Sequence, residues 1–120
     1  SYRRQRQMCI RDSDCDGHPE NAVSRDELLT NVMFYWLTET ATSSARLYWE
    51  SFGEFNGGEV NTPTGVSIYP KEIFKASERW LKKRYTNLKY YNVLDSGGHF
   101  AALEKPELYI QEVRSFFGSL

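Results

Sequence analysis

Leu88-Lys-Tyr-Tyr-Asn-Val-Leu94, followed within two residues by Ser96-Gly97-Gly98-His99-Phe100, is the stretch whose reading decides the fold. The apolar and aromatic run has the composition of a short strand. A helix is expected from Lys105 to Phe117, because Pro106 suits a first helical turn and Leu108, Val113, Phe116 and Phe117 mark its inward face. Between strand and helix stands a glycine pair. Without Cβ atoms, Gly97 and Gly98 let the backbone turn sharply and let another group come close, so the His99 imidazole can stand at the carboxyl end of a strand. Open α/β sheets carry their chemistry at that edge.

A lone histidine is ordinarily a capping or packing residue with its ring nitrogens satisfied locally. The strand, glycine pair, histidine and helix in sequence, with an acid upstream, point instead to a base. A base histidine needs a carboxylate to fix its tautomer and stabilise the imidazolium. Glu72 and Asp95 compete for that role. Glu72 follows Val66 to Tyr69, a second strand stopped by Pro70, so parallel neighbouring strands would each deliver one residue to the same end. Asp95 is closer in sequence but precedes the glycine pair, where it points off the strand end or caps the turn. Glu72 is preferred by the geometry of roles.

Outward from this centre, Lys71 to Arg84 reads as a helix marked by Ile73, Phe74, Trp80 and Leu81, with Lys82, Lys83 and Arg84 at its carboxyl end where cations suit the dipole. Upstream, Ser24-Arg-Asp-Glu27 is a capping box, and Leu28, Leu29, Val32, Met33, Trp36 and Leu37 recur at helical spacing, a face expected to be core. Ala45-Arg-Leu-Tyr-Trp-Glu50 resumes an apolar pattern with two large aromatics. Phe52 to Asn61, with Gly53, Gly57 and Gly58, is an exposed excursion and the best internal boundary. Asp14 to Ser24 is crowded with turn formers. Asp14, Asp16 and Gly17 lack the later acids of a calcium loop, so a plain turn is expected, with His18 in it.

The order is helices, then β, α, β, α. Strands joined through a helix run parallel, and a parallel pair is normally buried on both faces. Two strands cannot make that sheet alone, so the chain reads as the last third of a larger α/β domain. The 120 residues are 40% apolar and 15% aromatic, enough for one small core. No apolar run is long enough to span a bilayer, which leaves the cytoplasm the favoured compartment. Near-balanced charge disfavours nucleic acid as a partner, and Cys9 and Cys15 are too few for a disulfide framework or a zinc site. Residues 1–13 differ from the rest: they carry a net charge of +3 within a chain total of −1 and have no apolar period. Met8 to Ser13 resembles the translation of a transposase-type sequencing adapter (ATG TGT ATA AGA GAC AG). The segment is expected to be a non-native scar.

Three motifs carry a resemblance: Asp26-Glu-Leu-Leu-Thr-Asn-Val-Met-Phe-Tyr-Trp36, Pro63-Thr-Gly-Val-Ser-Ile-Tyr-Pro-Lys-Glu72 and Gly97-Gly-His-Phe-Ala-Ala-Leu-Glu-Lys-Pro-Glu-Leu108. From about Asp14 onward the chain resembles the C-terminal part of microsomal-type epoxide hydrolases of the α/β-hydrolase superfamily. The resemblance implies an α/β fold fragment: the last two parallel strands of an α/β-hydrolase sheet with flanking helices, and the end of a helical cap. Residues 14–58 would belong to the cap and residues 59–120 to the hydrolase core. It further implies hydrolysis of epoxides to diols through an aspartyl ester. His99 would be the water-activating base, Glu72 its acid partner, and Tyr48 a lid tyrosine that protonates the epoxide oxygen. From the residues alone, Tyr48 is a packing aromatic beside Trp49; the resemblance reverses that. Tyr35 matches a structural position.

The expected partners are an epoxide, water and the N-terminal half of the same fold; no metal or organic cofactor is implied. No Asp lies in a Gly-rich elbow after an apolar strand, so the nucleophile is missing and the isolated chain is expected to be inactive. The alternatives are another hydrolase on this fold, such as a haloalkane dehalogenase or an esterase, or a non-catalytic interaction module. Glu72 and the lid tyrosine argue against the other hydrolases. The exposed parallel-strand edge, prone to aggregation, argues against the module.

Overall fold

The structure, a computed structural model, describes Met8, residues 10–51 and residues 57–120. Most of the 1–13 segment and residues 52–56 of the glycine-rich excursion therefore lie outside the described residues. Two helices come first, α1 (Arg25–Leu37) and α2 (Ala41–Ser51). They are followed by β1 (Thr64–Ile68), α3 (Glu78–Arg84), β2 (Leu88–Val93), a single turn α4 (Ala101–Glu104) and α5 (Pro106–Gly118).

β1 and β2 pair in parallel, with Gly65 opposite Tyr90 and Ile68 opposite Val93, and a register irregularity between Thr64 and Gly65. α3 connects them, as a parallel pair requires. One face of the pair meets α5. There the Phe116 ring fits over Gly65, where a Cβ would lie 2.6 Å from Phe116 Cδ2. Deeper in the same contact, Glu112 is 7% exposed and accepts from Ser67 Oγ at 2.7 Å, Tyr90 Oη at 3.1 Å and Asn92 Nδ2 at 2.9 Å. A carboxylate removed from water needs such donors, and three neutral groups drawn from both strands supply them. Burial, and donation to Glu112, raise the Tyr90 phenol above its ordinary value.

The structure departs from the sequence reading in three places. The helix expected from Lys71 to Arg84 begins only at Glu78, after Ser77. Residues before it are committed elsewhere: the Lys71 N–H bonds Gly97 O at 3.1 Å, and the Glu72 carboxylate takes the Ile73 N–H. The face of α1 expected to be core buries no residue, and Phe34, Trp36 and Leu37 are exposed. The capping box does form, with Ser24 accepting from the Glu27 N–H and Glu27 Oε2 accepting from the Ser24 N–H. Local chemistry thus sets the helix, while the described residues leave most of its apolar side open, with Leu28 and Val32 only half-buried. On α5, Glu112 is the buried residue, whereas Val113 is partly exposed and Phe117 exposed, because a two-stranded sheet covers only a narrow strip of the helix.

Among the described residues no helix is long and apolar enough to cross a membrane.

Candidate active site

β1 and β2 end side by side. The Leu94 N–H donates to Ile68 O at 2.9 Å, and the ladder continues past both strands in a parallel bridge between Lys71 and Gly98. This extension brings two loop residues together. Glu72 Oε1 lies 2.7 Å from His99 Nδ1, although 27 positions separate them. The same oxygen accepts the Ile73 N–H at 2.7 Å, which holds the carboxylate toward the ring.

Gly97 makes the turn possible. Its φ of +104° is open to glycine, and a Cβ there would lie 2.7 Å from the Tyr69 ring, which is buried against it. The His99 ring meets Phe100 edge to face at 5.1 Å between centroids. About 40% of the His99 side chain is open to solvent, against 26% for Glu72. One edge of the imidazole faces its acid, and the ring as a whole is part-exposed. With the Nδ1 proton shared with Glu72, Nε2 keeps its lone pair for an external proton.

Of the other residues singled out by sequence, Asp95 is exposed in the bend after β2. Tyr48 stands on α2 and is 64% exposed, on an element separate from the pair. Tyr35 lies on α1 and is partly exposed. His18 is exposed, and its N–H closes a turn on Cys15 O at 3.0 Å. A cavity of about 450 Å³ between α1 and the start of α4 is lined by Val23, Leu28, Val32 and Leu103; neither His99 nor Glu72 lines it. Among the described residues no group of three or more His, Cys, Asp or Glu side chains is placed to hold a metal ion.

Two residues at the site escaped the sequence reading. Asp14, read as part of a plain turn, accepts the Gly97 N–H at 2.9 Å through Oδ2. Glu104, to which the sequence reading gave no role, is buried and accepts from the Asp14 and Phe100 N–H groups. The Asp14 contact bridges 90 residues, and no local pattern announces a contact of that separation.

No protein-family model matches the chain. Individual relatives do. It is 50% identical over 90% of its length to a Stigmatella aurantiaca protein provisionally named an epoxide hydrolase, and 43% identical over 88% of its length to epoxide hydrolase 1 of Sus scrofa. The crystal structure of juvenile hormone epoxide hydrolase from the silkworm Bombyx mori superposes with a TM-score of 0.80 at 30% identity, covering 95% of this chain and 31% of that one. The chain spans about a quarter of the length of the curated relatives it matches, 25% and 24% for these two. A parallel strand pair flanked by helices, with sequence likeness running through nearly all of it, places this chain in the epoxide hydrolase family of the α/β-hydrolase fold.

Proposed function

We propose that the protein carrying this chain hydrolyses epoxides to vicinal diols through an aspartyl ester, and that this part supplies the His99–Glu72 pair that hydrolyses the ester. The observation that carries the reading is the 2.7 Å contact between His99 Nδ1 and Glu72 Oε1 at the carboxyl ends of two parallel strands. In the first step a carboxylate opens the ring: its oxygen bonds an epoxide carbon, the carbon–oxygen bond breaks, and the leaving oxygen takes a proton from the Tyr48 hydroxyl. A phenol suits this task because it donates without remaining ionised at neutral pH. In the second step His99 Nε2 takes a proton from water as the water oxygen attacks the ester carbonyl. The tetrahedral species then expels the diol oxygen, which takes the proton from the imidazolium, and the proton of the carboxylic acid so formed returns to the Tyr48 phenolate, so that carboxylate and phenol are both restored. Glu72 holds the ring with Nε2 outward and stabilises the imidazolium while it lasts.

No aspartate in residues 1–120 sits in the glycine-rich strand-to-helix elbow that such a nucleophile requires, so we assign it to the remainder of the parent protein. The isolated chain is then inactive. Reading the source DNA upstream of the junction near Ser13 and expressing the full-length protein tests the reading. In that protein His99→Gln should lower ester hydrolysis by about 10²–10⁴-fold, while the alkyl-enzyme accumulates and is seen by mass spectrometry. Undiminished turnover by this variant would remove His99 from the mechanism. Tyr48→Phe should slow ring opening instead, and normal alkylation would return Tyr48 to a packing role. An upstream nucleophile of Ser rather than Asp would turn the assignment to an esterase.

A further inference from the structure

The turn that presents His99 is strapped down from outside. Residues 12–14 run across it: the His99 N–H donates to the Asp12 carbonyl at 2.9 Å, and the Gly97 N–H to Asp14 Oδ2 at 2.9 Å. Glu104 closes the strap from the far side of the histidine. Its Oε2 accepts the Asp14 N–H at 2.8 Å and its Oε1 accepts the Phe100 N–H at 2.9 Å, so one carboxylate joins the strap to the residue directly after His99. The fit is close. A Cβ on Gly98 would lie 2.5 Å from Asp12 O, 2.9 Å from Asp14 N and 3.0 Å from Glu104 Oε1.

Glu104 is 7% exposed, and a carboxylate is held out of water only where strong donors compensate it. Here they are the backbone N–H groups of Asp14 and Phe100. The contact at position 12 uses a backbone carbonyl, which any residue there would provide, so the strap does not depend on which residue occupies that position. Asp14 and Glu104, by contrast, act through side-chain oxygens.

We propose that Glu104, together with Asp14, is a positioning residue for His99: the two carboxylates fix the strap on the Gly97–Gly98–His99 turn and thereby keep Nδ1 in register with Glu72. The proposal rests on the reading of His99 as the water-activating base. Glu104 touches neither the epoxide nor the ester in this scheme; its effect passes entirely through the histidine.

The test uses the full-length protein with Glu104→Gln, which preserves size but turns one acceptor into a donor facing a backbone N–H. Single-turnover kinetics separate ring opening from ester hydrolysis. The expected result is ester hydrolysis slowed by about 10²-fold, in line with a displacement of roughly 1 Å at a reacting group, with ring opening within twofold of the parent. Glu104→Asp should restore part of the rate. Ser24→Ala, which loosens the capping box, serves as a destabilised control that leaves the ratio of the two steps unchanged.

Both steps falling together, or neither changing, would overturn the proposal. Should Glu104→Gln fail to fold, Asp14→Asn carries the same expectation and the same refutation. Failure of the underlying reading is separately visible, since His99→Gln would then turn over without accumulating an intermediate.

Discussion

Residues 59–120 and the helices α1 and α2 reach their structures by different routes. In the first region the parallel pair, the bridge from Lys71 to Gly98 and the Glu112 cluster join residues far apart in sequence, and the site follows from those joints. In the second, each helix is set by its own residues. Ser24 and Glu27 cap α1 reciprocally, and Arg46 and Glu50 pair along α2 at 3.5 Å, yet neither helix buries a residue. Leu47 is 67% exposed and Trp49 91%, and Trp36 and Leu37 of α1 are exposed as well. Apolar stripes of this extent belong against another surface. The difference is one of range: the strand ends complete a local geometry within this chain, whereas the helices hold their shape and leave their packing to something else.

The sharpest attack on that comparison falls on the strap. Gly98→Val places side-chain atoms against the Asp12 carbonyl and the Asp14 N–H, which are backbone and cannot rotate away. A loss of about 3 kcal/mol is expected, measured by chemical denaturation; a loss below about 1 kcal/mol would show that the strap is not fixed on the turn. Glu112→Ala comes next. It leaves Ser67, Tyr90 and Asn92 without their shared acceptor, and about 1–3 kcal/mol should disappear. Hydrogen exchange should place that loss in β1, β2 and α5 rather than in α1. The smallest effect is expected at Trp36→Ala. This indole is 68% exposed, so the chain should lose within about 0.5 kcal/mol. A loss above 2 kcal/mol would mean that α1 is covered in solution and would end the contrast between the two regions.

How far the sequence could be read follows the same division. The alternation of strand and helix, the Ser24 capping box, the glycine turn before His99 and the choice of Glu72 over Asp95 as its neighbour were all legible, because each rests on short-range chemistry or on the order of strands. The start of α3 was not. Residues 71–77 contain apolar side chains at helical spacing, but their backbone and Glu72 carboxylate are drawn to the strand end. The inward face of α5 was misjudged for a related reason: Glu112, polar in sequence, is buried because three donors happen to converge on it.

The sequence by itself determined where α1 begins and where the chain turns before His99, since caps and glycines act within a few residues. It also determined which residue types could do acid–base work at a strand end. Only the tertiary structure decided that Asp14 and Glu104 hold the histidine turn. Their contacts cross 83 and 90 residues of chain, and such a contact is set by where the whole fold brings two segments together rather than by either segment's composition.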